Sequence, residues 1–172
     1  MSNPKSNDSV RAKLKVRAIE IPDAPFHYRL KTFEMRCTES VAWDPKDQIR
    51  TPEQAANLLF PMFAELEHGR EHFLVLFLNK ANRISGMKVV SSGGMSASVV
   101  DAHEVFRGAI LFGASSIILS HNHPSGNPEP SREDIALTRV LVDAGAVLQL
   151  PVYDHIIIAC DGFTSFKQRR LM

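Results

Sequence analysis

SIILSHNHPSGNPEPSREDIALTRVL, residues Ser116–Leu141, holds a strand, a proline-rich loop and a helix in immediate succession. Ser116–Ser120 is an apolar run of the kind expected for a strand covered on both faces. His121–Pro130 reads as a loop stiffened by Pro124, Pro128 and Pro130. Ser131–Ala144 reads as a helix, with Ile135, Thr138, Leu141 and Val142 on its inner face and Gly145 as its stop. In an extended segment the side chains at i and i+2 point the same way, so the imidazoles of His121 and His123 converge where Pro124 ends the strand. Helical side chains lean toward the N-terminus, so Asp134 in the first turn leans back toward those histidines. Two imidazoles and one carboxylate have the composition of a catalytic zinc site with a water in the fourth position. The plainer reading of Ser131-x-x-Asp134 is a near-capping box that needs no metal. The two are compatible, because a capped helix also holds Asp134 rigidly.

Working outward, alternation of apolar and polar residues predicts strands over Val16–Ile21 and Phe26–Arg36. Thr51-Pro52 reads as a helix N-cap followed by Pro at the first helical position. That helix is expected to run to about His68, kinked or split at Pro61 and closed by Gly69. Phe73–Leu78 is a second covered strand and Ile84–Val90 its hairpin partner. Ser91–Ser98 is Gly/Ser-rich and reads as a loop. Asp101–Phe112 has helical spacing, with Val105, Phe106, Ala109 and Ile110 on one side. Val147–Val152 and His155–Cys160 are the last two strands, followed by a turn at Asp161-Gly162 and a basic tail, Lys167–Arg170. Helices alternating with covered strands give an α/β (mixed α+β) class, with helices packed on a central β-sheet.

The chain has 172 residues, 44% apolar and 23% charged, which excludes global disorder and low-complexity classes. Its formal net charge of +1 gives no overall field toward nucleic acid or anionic lipid. Residues 1–50 carry ten Lys/Arg against seven Asp/Glu. No aromatic residue interleaves the charges of the first seventeen residues, so that basic arm reads as a solvated terminus before a nucleic-acid contact. Two cysteines far apart, Cys37 and Cys160, suit a reducing compartment. With no secretory h-region and no long apolar run, the expectation is a cytoplasmic protein without a membrane partner.

H-x-H-x7-S-x2-D, met by His121, His123, Ser131 and Asp134, is the JAMM (MPN-plus) metalloprotease motif. With its flanks and the later Asp154-His155-Ile-Ile-Ile, the sequence resembles the RadC branch of bacterial JAB-domain proteins over residues 51–172, leaving 1–50 as an N-terminal extension. The resemblance implies a JAB/MPN fold, similar in outline to cytidine deaminases. It also implies a Zn2+ ion on His121, His123 and Asp134, and a glutamate at the start of a core strand. Glu71, just before Phe73–Leu78, matches that glutamate. Spacing alone does not select it over Glu104, Glu129 or Glu133. In such a site Glu71 takes the proton of the zinc-bound water and hands it to the leaving amine, while Ser131 hydrogen-bonds the oxyanion. The substrate implied is a peptide or protein amide.

Other zinc signatures fail. There is no H-E-x-x-H, and the two cysteines cannot supply a deaminase P-C-x-x-C. A RadC-type label of DNA repair often goes with a helix-hairpin-helix region, but no glycine precedes Gly69, so direct DNA binding is not expected here. A non-catalytic MPN-like scaffold or DNA-repair-associated factor, for which the basic arm keeps a weakly supported nucleic-acid contact open, and a hydrolase of non-peptide amides are the alternatives to a peptidase. His155 reads as a structural histidine at a strand start, with orientation of a ligand as the alternative. Asn122 points away from its two neighbours, His72 and Cys160 read as packing residues, and Trp43 as a core or loop anchor.

Overall fold

Phe73–Leu78 carries no polar residue, and all six of its side chains are at most 1% exposed. A strand like this must be covered on both faces, and the alternation of its side chains shows by what. The structure, a computed structural model, describes residues 48–67, 69–93 and 100–172. The strands expected at Val16–Ile21 and Phe26–Arg36, the basic arm, Cys37 and Trp43 lie outside them. The elements run α1 Pro52–Ala64, β1 His72–Leu78, β2 Ile84–Ser92, α2 Ala102–Leu111, β3 Ser116–Asn122, α3 Arg132–Val147, β4 Val152–Ala159 and β5 Gly162–Ser165. The strands form one five-stranded sheet in the order β2-β1-β3-β4-β5. All neighbours are antiparallel except β3 and β4, which the α3 crossover makes parallel.

Even-numbered residues of β1 (Leu74, Leu76, Leu78) pack with Ile118 of β3 against Ala55, Ala56, Leu59 and Phe63 of α1. Odd-numbered residues (Phe73, Val75, Phe77) pack with Ile117 and Leu119 against Val105, Phe106 and Ala109 of α2 and Leu137 and Leu141 of α3. The sheet is therefore sandwiched between α1 and the α2/α3 pair, and the parity of a strand residue decides which layer it meets. At the end of β3 this sends His121 toward α3 and Asn122 toward the α1 side.

Several boundaries differ from the sequence reading. α1 stops at Ala64 and passes through Pro61 without a break. Pro61 and Asn57, whose carbonyl loses a helical partner there, are both exposed, which leaves that carbonyl on the solvent side of the helix. Gly145 does not stop α3, which continues to Val147. It is a contact glycine, since a Cβ there would lie 2.6 Å from the main-chain oxygen of Leu150. The helix therefore keeps Val147 out of a strand. The two expected last strands are one, β4, and the Asp161-Gly162 turn leads into β5. The Ser91–Ser98 loop begins later than expected, because β2 pairs as far as Ser92. Ile110, expected inside, is 59% exposed, and Cys160, read as a packing residue, is also exposed.

Asp154 is a buried carboxylate that the fold uses structurally. It accepts hydrogen bonds from the Ser165 hydroxyl (2.6 Å) and from the main-chain N–H groups of His155 (2.7 Å) and Lys167 (3.0 Å). Together these tie β4 to β5 and to the turn that follows. Burial raises its pKa against those hydrogen bonds, so the charge itself stabilises little. Asp154→Ala, which strands several buried donors, is expected to cost about 2–4 kcal/mol in chemical denaturation. Asp154→Asn, which keeps an acceptor and can donate to Ser165, is expected to cost less than half of that.

Candidate metal centre

His121 is the last odd-numbered residue of β3, paired with Phe73 of β1 on one side and Ile157 of β4 on the other. Its ring is completely buried. His123 follows in the loop, its main-chain N–H bonded to Ile158 O at 2.9 Å, so the chain stays extended and both rings emerge on the α3 side. Ser131 caps α3 and forms a full capping box with Asp134. The Ser131 hydroxyl accepts the Asp134 N–H (3.0 Å) and donates to Asp134 Oδ2 (2.6 Å), while the Ser131 N–H donates to the same oxygen (2.7 Å). The cap thus aims Asp134 at the histidines, as the helical lean requires.

The three expected ligands do meet. The Nε2 atoms of His121 and His123 are 2.9 Å apart. His121 Nε2 lies 3.4 Å from Asp134 Oδ1, and His123 Nε2 lies 3.5 Å from Asp134 Oδ2. Tetrahedral bonds of about 2.0–2.1 Å separate donor atoms by about 3.3 Å, so these distances suit one small cation. Among the described residues this is the one group of His, Cys, Asp and Glu side chains close enough to hold a metal ion. The donor chemistry makes the same demand. His123 Nδ1 faces the main-chain carbonyl of Asn127 at 2.8 Å, and that oxygen only accepts. The neutral His123 ring therefore carries its hydrogen on Nδ1, which leaves Nε2 as a bare lone pair facing His121 and a carboxylate. Lone pairs gathered in this way call for a cation.

The electrostatics agree. Burial pushes the Asp134 carboxyl up, but the pull of His121 and His123 in their protonated forms, with the Ser131 hydrogen bond, outweighs it and holds it well below the usual carboxylate range. Asp134 also sits in the first turn of α3, where the helix dipole favours an anion. Burial lowers the His121 pKa, against the pull of Asp134. His123 is more accessible, and its hydrogen bond to Asp134 raises its pKa despite partial burial.

Glu71 and Ser131 line the same open cleft of about 430 Å3 as His123 and Asp134. Glu71 lies two residues before Phe73, on the face of β1 that looks toward α3. The competing glutamates separate. Glu104 is tied to Lys88 and Arg107 on α2, away from the cleft. Glu129 reaches the cleft but is paired with Arg169, and Glu133 lines it on an exposed helix turn.

Three side chains near the centre have roles that local sequence did not reveal. Asn122, between the two histidines, points to the opposite face as expected. There its amide Oδ1 accepts the His72 N–H (2.8 Å) and its Nδ2 donates to the Arg70 carbonyl (2.9 Å). It therefore clamps the main chain on both sides of Glu71, whose own carbonyl accepts from the Gly93 N–H at 2.8 Å. His72, read as packing, joins Ser92 Oγ and the Glu67 carbonyl, both at 2.9 Å. His155, read as structural, has Nε2 only 2.8 Å from His121 Nδ1, and its Nδ1 is 2.6 Å from Thr138 Oγ1. Burial holds His155 far below its ordinary pKa, so the ring is neutral. The sequence hints were slight: Thr138 is one helical turn beyond Asp134 on the inner face, and His155 opens an isoleucine run. The partners of Asn122 and His155 lie 17 to 52 residues away.

No described helix is long and apolar enough to cross a membrane. The profile of the RadC-like JAB domain matches residues 49–171. A UPF0758 protein of Salinibacter ruber is 48% identical over 126 residues, covering 73% of this chain and 53% of that protein. UPF0758 proteins of Methanococcoides burtonii and Desulforamulus reducens are 43% and 46% identical over 125 and 124 residues, 73% and 72% of this chain and 54% of each of theirs. The chain spans about half the length of the curated relatives it matches. With a family profile over most of its length, and relatives this similar, the chain belongs to the RadC-like JAB domain family.

Proposed function

We propose that the chain is a zinc-dependent hydrolase of the JAMM type, acting on peptide or isopeptide amides. The observation that carries this is the convergence of His121, His123 and Asp134 at the wall of a cleft that His123, Asp134, Glu71 and Ser131 line. Imidazole and carboxylate donors suit zinc, and three protein ligands leave a position open for chemistry. A bound zinc would supply an acidified water, with a pKa near ~7, and a Lewis acid for the amide carbonyl.

The remaining roles fall to the chain itself. Glu71, ahead of β1 in the cleft and, among the described residues, without an ion pair like the one that holds Glu129, accepts a proton and returns it to the departing amine. Asn122 fixes the peptide groups flanking Glu71, so that the carboxylate is aimed before substrate arrives. Ser131 spends its hydroxyl hydrogen on Asp134 Oδ2. Its N–H keeps hold of that oxygen, so the hydroxyl is able to turn toward a developing oxyanion without releasing Asp134.

Protein purified without added metal is expected to contain about one zinc per chain by elemental analysis, and His121→Ala/His123→Ala none. A metal-free parent that also refuses added zinc would overturn the reading. Glu71→Gln is expected to keep its zinc and lose about 10^2- to 10^4-fold in amide hydrolysis. Full activity with zinc bound would remove Glu71 from the mechanism. Asn122→Ala is expected to keep zinc and lower kcat with little change in KM.

The raised His123 pKa sets the pH dependence. In the metal-free protein a proton on His123 competes with the cation and stays on to a higher pH than on a free imidazole, about 6.5. The rise in melting temperature on adding zinc is therefore expected to be small near pH 6 and to grow toward about pH 8. In the metal-free protein the His123 contribution to stability runs the other way, while the lowered pKa values of His121 and His155 oppose it. The stabilisation from His123 and Asp134 is fully present below the unfolded value, about 6.5, and is lost as pH rises through the folded one. A zinc-induced rise in melting temperature that does not grow between about pH 6 and pH 8 would count against His123 as a ligand.

A further inference from the structure

Behind His121, three short contacts run in line into the core. His121 Nδ1 lies 2.8 Å from His155 Nε2, His155 Nδ1 lies 2.6 Å from Thr138 Oγ1, and Thr138 Oγ1 lies 2.6 Å from the main-chain oxygen of Asp134. Each is a hydrogen-bond distance, and each needs one hydrogen between its atoms. The chain can be solved from its inner end. The Asp134 carbonyl only accepts, so the Thr138 hydroxyl hydrogen is committed to it, a back-bond common for Thr within helices. Thr138 Oγ1 then offers only lone pairs to His155, so His155 Nδ1 carries the hydrogen. The His155 ring is fully buried between Phe73 and Phe166 and is neutral, which leaves its Nε2 bare. The hydrogen in the next contact must therefore come from His121 Nδ1. A neutral His121 then presents a bare Nε2, the atom that faces Asp134 and, at 2.9 Å, His123 Nε2, so that contact takes either a second proton on His123 or a cation.

We propose that Thr138 and His155 are positioning residues which hold His121 in its Nδ1–H tautomer, keeping the Nε2 lone pair open toward a metal cation. The proposal deepens the metal reading above and rests on it. The reverse order would put a hydrogen on His121 Nε2, pointed at His123, and would block the site. It would also turn the Thr138 hydroxyl toward His155, leaving two oxygens 2.6 Å apart with no hydrogen between them. The direction of the relay is thus set by a main-chain carbonyl of the same helix that supplies Asp134, so the tautomer of one ligand and the position of another have a common origin. Side chains that hold the second nitrogen of a ligating histidine commonly change metal affinity by about 10- to 100-fold.

The test is long-range 1H–15N correlation of the histidine rings in the full, metal-free chain at about pH 8, above the range in which a free imidazole titrates, with assignment by single substitutions. The expected spectrum has Nδ1 protonated and Nε2 bare in both His121 and His155. A protonated Nε2 on His121 overturns the proposal. Thr138→Val, nearly isosteric, removes the acceptor for His155 Nδ1. It is expected to shift both rings toward Nε2–H and to weaken zinc binding about 10- to 100-fold in a chelator competition. Thr138→Ser, which restores the hydroxyl, should recover both the ring pattern and the affinity. If Thr138→Val lowers only the melting temperature, with tautomers and zinc affinity unchanged, Thr138 is a packing residue and the proposal fails. If Thr138→Val does not fold, the parent spectrum and Thr138→Ser still decide. A parent with the expected tautomers that takes up no zinc upholds the proton order and overturns the metal reading instead.

Discussion

β3 is paired on both sides, Ser116–His121 antiparallel to β1 and Ile117–Asn122 parallel to β4. That double pairing removes the freedom of its last residues to slip. A shift by one residue would exchange the faces of every side chain, turning His121 toward α1 and Asn122 toward α3. In the observed register the same alternation that sorts Leu74 from Phe73 also sorts the site. His121 is sent to the metal side, and Asn122 to the side where the Arg70–His72 segment enters β1. The core and the chemistry share a single geometric constraint. Apolar burial on both faces enforces it, at about 25 cal/mol per Å2 of apolar surface removed from water.

The second determinant is the N-terminus of α3. Ser131 and Asp134 close a capping box, and this reciprocal pair satisfies helix N–H groups while locking a carboxylate beside two imidazoles. Capping and ligation are therefore the same geometry seen from two sides. An ionised carboxylate with almost no solvent contact would be costly alone. Here it is held by the donors of its own helix and stands opposite nitrogen lone pairs that also need a positive partner. The buried Asp154 makes the contrast. It too is surrounded by donors, but they are main-chain N–H groups and a serine, which leave no place for a cation.

Much of this was legible before the fold. The two covered strands, Phe73–Leu78 and Ser116–Ser120, announce themselves as uninterrupted apolar runs. The starts of α1 and α3 are marked by Thr51-Pro52 and by Ser131-x-x-Asp134. The errors cluster where a tertiary contact overrode a local signal. Pro61 broke nothing because the carbonyl it orphans is exposed. Gly145 was read as a helix stop, though it serves the close approach of the Leu150 carbonyl. For His155 the local pattern leaves a structural role and orientation of a ligand both open, because its partner at 2.8 Å is His121, 34 residues earlier in the chain.

By itself, then, the sequence determined the candidate ligand set: an i, i+2 histidine pair and a first-turn aspartate are local patterns, and period and capping rules carry them to one point. Only the tertiary structure decided what stands behind those ligands. Asn122 reaches the chain around Glu71 across the β1–β3 pairing, and His155 reaches His121 across the β3–β4 pairing. Both depend on strand order and register, which arise from burying two opposite faces of a sheet and leave no local trace in the residues that benefit. Proton placement lies further still from the sequence. It follows from which buried atom can only accept, and a carbonyl becomes such an atom only when a helix brings a threonine hydroxyl within 2.6 Å of it.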